Sequence, residues 1–143
     1  MMDRSSKLGR FFGTPWIAEM LALLGGAVYL VQSWAYAHTR ESILDEGAYL
    51  YKGYAFVTGQ YAIYQDYGFW SNHMPLSFYI PGVAQLIFGP GLRTGRYLAI
   101  CLGLLALVGL WILVRRVGGR WWATAAVWVS MMSMLTGRVE SKP

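Results

Sequence analysis

The sequence predicts an all-α, polytopic helical membrane protein, with three to four transmembrane helices and an interfacial helix in the first outer loop. Three observations carry this. Of the 143 residues, 56% are apolar and only 13% are charged, whereas soluble domains carry about 25% charged residues. The mean hydropathy is +0.37. The cations stand in short clusters between apolar runs, as they do in loops bordering a bilayer. That placement assigns the net charge of +5 to membrane topology and speaks against nucleic-acid binding. Cys101 is the single cysteine, so no internal disulfide forms.

Residues 1–15 carry Arg4, Lys7 and Arg10 against Asp3 and read as a cytoplasmic lead. Residues 16–36, WIAEMLALLGGAVYLVQSWAY, form the first span, bracketed by Trp16 and Trp34 as interfacial anchors do. Its length is about the 20 residues a crossing needs, and more than a secretory h-region has, so it reads as an uncleaved anchor despite Ala35-Tyr36-Ala37. Glu19 lies near its end, where it is expected to reach the headgroups. Residues 37–74 are a polar, aromatic loop with net charge −2 from Arg40 and Lys52 against Glu41, Asp45, Glu46 and Asp66. Residues 75–136 supply transmembrane helices 2–4, and 137–143 a tail. The second run, 75–88, is short, and Pro81-Gly82 is expected to bend it. GPGLRTGR (89–96) reads as a turn, 97–114 as the third span, RRVGGR (115–120) as a basic loop, and 121–136 as the fourth run.

Counting Lys and Arg gives seven inside and five outside if all four runs cross with the N-terminus inside, and six to six if 75–88 is re-entrant. The positive-inside rule leans to four crossings but then places RRVGGR outside. Both arrangements put 37–74 on the outer face of an inner or plasma membrane of bacterial type.

The outer loop concentrates the chemistry. Three of seven acidic residues, and six of ten tyrosines, fall between residues 45 and 67. Residues 42–59 lack proline and predict a helix, with Ser42 at the N-cap and Asp45 and Glu46 in the first turn. Asp45, Tyr49, Lys52 and Phe56 share one face of it. Such a helix lies in the interface. A carboxylate there can act as a general base or hold a divalent cation near a phosphate, and arginines can bind the phosphate. The same residues equally suit a loop that only anchors: tyrosines at the interface and acids capping a helix. No HExxH or CxxC spacing is present.

The order of segments is informative. An apolar span runs directly into DEGAYLYKG, then GQYAIYQDYGF, HMPLSFY and FGPGLRTGRYLAICLG. This order resembles the N-terminal part of GT-C-fold membrane glycosyltransferases of the protein O-mannosyltransferase-like, aminoarabinose transferase-like and Rgt-type branches. The resemblance covers about residues 16–136. It implies transfer of a sugar from a polyprenyl-phosphate donor to an acceptor on the outer face. It implies Asp45 as catalytic base or organiser of the acceptor site, with Glu46 beside it as the second catalytic carboxylate. Pro75-Leu76 would open the second span, and Arg96 the third, where a structural or topogenic role suits it as well as a catalytic one. Tyr49, Lys52, Asp66, His73 and Arg96 are the implied substrate-binding residues. His73 stands where some relatives place an acidic metal ligand, which makes it a weak candidate for a divalent cation. His38 is a lesser one.

Relatives of this kind are several times longer. The resemblance therefore implies an N-terminal fragment, inactive alone, whose partners are membrane lipids, a lipid-phosphate-linked sugar donor and the remainder of a split enzyme. The competing reading is a small non-catalytic polytopic membrane protein whose outer loop binds a partner or anchors.

Overall fold

The computed structural model describes residues 15–41, 44–62 and 75–139. Ser42, Asp66 and His73 lie outside the described residues, as do the lead and the end of the tail. Among the described residues the chain is all-helical, with α1 Pro15–Thr39, α2 Leu44–Val57, α3 Pro75–Phe88, α4 Leu92–Gly118 and α5 Arg120–Val139. It divides into two compact units, residues 33–102 and residues 1–32 with 103–143.

α1 and α4 are long and apolar enough to cross a membrane. At 1.5 Å per residue each exceeds the roughly 30 Å hydrocarbon core. Only 6% of the apolar window of α4 is buried, and Leu105 and Leu113 are exposed. A core helix of a soluble domain would hide such a surface.

Two turns differ from expectation. Residues 92–96 belong to α4 rather than to a turn, because Gly89 at φ 95° reverses the chain at once and Thr94 Oγ1 donates to the Gly89 carbonyl at 2.8 Å. At the other end, 115–118 also stay helical, and only Gly119, at φ 83°, separates α4 from α5. Glycine takes this left-handed conformation without a Cβ penalty. Arg115 and Arg116 in the last turn of α4 complement its dipole.

The unit of residues 33–102 is organised by α2 against α3. Gly53 and Gly82 face each other so closely that a Cβ on either would collide with the other helix's backbone, at Phe78 O and Gly53 O respectively. α3 runs through Pro81 without a break. The buried Gln85 amide donates to Leu50 O at 2.9 Å, tying α2 to α3, and to Pro81 O at 3.2 Å within α3.

In the other unit α5 lies along α1 in parallel. Thr124 Oγ1 donates to Ala18 O at 2.8 Å, and Trp128 Nε1 to Leu21 O at 3.1 Å. Ala18 and Ala123 are fully buried there. α4 meets α1 antiparallel, with Tyr29 over Gly103. Glu19 pairs with Arg115 at 2.8 Å and Arg120 at 3.4 Å, because the chain turns at Gly119 and presents both guanidiniums to it.

Candidate functional site

The site is built on the first turn of α2. The two acidic residues there favour the positive end of the helix dipole, but their surroundings separate them. Glu46 is half-buried and gives both carboxylate oxygens to Arg96, Oε1 to Nε at 2.8 Å and Oε2 to Nη2 at 3.0 Å. Asp45 is exposed and makes no side-chain hydrogen bond or ion pair among the described residues.

Arg96 is the centre of this arrangement. Besides Glu46 it donates to Ala37 O at 3.0 Å, Arg40 O at 2.8 Å and Glu41 O at 3.1 Å. A guanidinium has five N–H donors, and all five are used. Its side chain is only 6% exposed, and Tyr36 stacks over it at 5.8 Å. The carbonyls it receives lie at the C-terminal end of α1, where helices leave acceptors without intrahelical partners. One residue of α4 therefore caps α1 and anchors the start of α2.

Beside Arg96, α1 and α4 meet through an aromatic cluster. Trp34 stacks on Tyr97 at 5.2 Å between centroids, and His38 sits against both. His38 Nδ1 is 2.8 Å from Trp34 O and Nε2 is 3.1 Å from the Tyr97 hydroxyl. In the neutral ring Nδ1 therefore donates and Nε2 accepts.

A cavity of about 430 Å³ opens here, edged by His38, Arg40, Arg93, Arg96 and the turn Gly89–Gly91; among the described residues no carboxylate lines it. Arg40 and Arg93 have no ion-pair partner among the described residues.

The implied site residues separate into two groups. Asp45, Glu46, Tyr49, Lys52 and Arg96 come together in one unit. Tyr49 stacks on Phe78 at 5.0 Å, which fixes its ring against α3. Asp66 and His73 lie outside the described residues. Arg96 spends two donors on Glu46 and three on backbone carbonyls, so it has none left for a substrate. Tyr51 meets Tyr61 edge-on at 6.3 Å. Burial, then the neighbouring Tyr51, hold the Tyr61 phenol above its ordinary pKa. Among the described residues no three His, Cys, Asp or Glu side chains gather as a metal ion would require.

Sequence reasoning missed Arg40 and Arg93 as a pair. Their signal was available in the two polar turns that flank α1 and α4, but nothing in the sequence sets those turns side by side. No family model, curated protein or solved structure matches the chain.

Proposed function

We propose that this chain is the acceptor-activating part of a membrane glycosyltransferase that uses a polyprenyl-phosphate sugar, acting on the outer face of the membrane. One observation carries the reading. A free carboxylate, Asp45, directly precedes Glu46, which is held by Arg96, and Arg96 walls a cation-edged cavity with no carboxylate among its described lining residues. In the proposed step Asp45 takes the proton of an acceptor hydroxyl or amine. The acceptor atom bonds to the anomeric carbon. The bond from that carbon to the phosphate oxygen breaks, and the polyprenyl phosphate leaves as an anion beside Arg40 and Arg93. Glu46 is a positioning residue that holds the first turn of α2.

The accompanying topology has α1, α4 and α5 crossing, with the N-terminus cytoplasmic. Arg96, near the start of α4, binds the carbonyls at the end of α1, so the intervening segment begins and ends on one side. α2 and α3 have 14 residues each, about 21 Å, too short to cross. This arrangement sets Arg115, Arg116 and Arg120 on the side of the basic lead, as the positive-inside rule favours.

The test replaces the chain in its source cell by the Asp45→Asn form and follows a labelled polyprenyl-phosphate sugar in isolated membranes. Transfer falls by about 100-fold or more with the chain still inserted. Unchanged transfer removes Asp45 from the chemistry. Unchanged transfer on deleting the whole chain overturns the reading and leaves a non-catalytic membrane protein.

A further inference from the structure

A second cavity, of about 550 Å³, lies within the unit of residues 1–32 and 103–143. Ala22, Gly26 and Leu30 of α1 form one wall, Leu107 and Trp111 of α4 the other, and Val127 the floor. It is apolar except at one end, where Glu19 closes it.

Its dimensions select the occupant. From Glu19 to Leu30 the α1 wall is about 16 Å long, close to one leaflet of a hydrocarbon core about 30 Å thick. A spanning helix needs about 20 residues, about 30 Å, so the groove is too short to seat one. An extended acyl chain fits that length.

The mouth is cationic. Arg115 and Arg120 converge on the single Glu19 carboxylate, and Arg116 stands exposed in the same last turn of α4. Arg115 also lies 4.6 Å over the Trp111 ring, which joins the charged end to the apolar wall. Among the described residues, three cations against one anion leave an excess of positive charge where the headgroup of a seated lipid would lie.

We propose that this groove binds one acyl chain of an anionic phospholipid of the cytoplasmic leaflet, with its headgroup phosphate on the arginines at the α4–α5 turn. The site rests on the membrane orientation above but not on the glycosyltransferase chemistry.

The test is native mass spectrometry of the full chain in detergent, titrated with phosphatidylglycerol or with phosphatidylcholine of the same chains. One phosphatidylglycerol adduct forms, favoured at least about fivefold, as one surface cation near 1 kcal/mol supplies. A Cβ on Gly26 meets nothing within 4 Å, so Gly26→Leu fills the groove without strain and removes the adduct. Gly109 is equally unobstructed but does not line the groove, and Gly109→Leu keeps the adduct. Arg116→Gln with Arg120→Gln leaves Arg115 on Glu19 and levels the two lipids.

Equal binding of both lipids by the unaltered chain, an adduct that survives Gly26→Leu, or a second copy of the chain in place of lipid would overturn the proposal. Alkaline carbonate extraction of the same membranes separates the two premises. Retention of the chain with no adduct sinks the lipid site alone, and release of the chain sinks the membrane reading and the site together.

Discussion

Each of the two units carries a glutamate–arginine centre, and the two centres do different things. In residues 33–102, Arg96 is buried, meets Glu46 through two hydrogen bonds and spends its other donors on three carbonyls. In the other unit, Glu19 shares one oxygen between Arg115 and Arg120, whose side chains are 37% and 46% exposed. The partner types are the same, but Glu46 accepts two hydrogen bonds from Arg96 while the shared Glu19 Oε1 accepts none among the described residues and is held by charge alone. Removing one partner of a buried, fully bonded pair strands the other and costs about 3–5 kcal/mol. An exposed pair is worth about 0–1 kcal/mol, and here a second arginine stands in reserve.

The sharpest way to break this contrast is Arg96→Leu. It leaves Glu46 and three carbonyls without their donor and should destabilise the unit of residues 33–102 by about 3–5 kcal/mol, seen as early thermal unfolding in detergent and protease cleavage within 40–62. Arg96→Lys should recover little, because an ammonium offers three donors and no planar fork. Full stability of Arg96→Leu would mean that the buried pair is ornamental.

The next comparison puts the same substitution in both units. Gly82→Ala drives a Cβ into the backbone of α2, which can yield only by separating the helices. Gly25→Ala meets the side-chain tips of Val127 at 2.9 Å and Trp128 at 3.4 Å, which can shift. The first should cost about 1–3 kcal/mol and the second distinctly less by the same thermal measurement. Equal losses would erase the distinction between backbone and side-chain contact.

The smallest effect belongs to Arg115→Gln. Arg120 still neutralises Glu19, so the loss should stay within about 1 kcal/mol. A loss as large as that of Arg96→Leu would show that Glu19 relies on a single partner.

How far the sequence could be read follows the range of the interactions. The short apolar run 75–88 appears with the same bounds in α3, and the expected helix over 42–59 appears as Leu44–Val57. Both depend on local composition and caps. The early start of α4 was hidden because RTGR reads as turn chemistry, while the residue that decides it is Gly89. The role of Arg96 was hidden more deeply. Its partners are 50 to 59 positions away, and three of them are backbone carbonyls that carry no sequence signal. Glu19 was legible as a charge inside a span, but its two partners lie at the far end of the chain. The split between Glu46 and Asp45 has the same cause, since two adjacent acids look alike until a distant arginine takes one.

That distance also orders events in time. A ribosome adding about 5–20 residues per second makes Glu46 and the end of α1 several seconds before Arg96. Throughout that interval the end of α1 and the first turn of α2 hold an unanswered carboxylate and bare carbonyls. A nascent chain that stalls short of Arg96 thus displays an unfinished polar seam, the kind of exposed lesion a protease can recognise. Completing one side chain closes it.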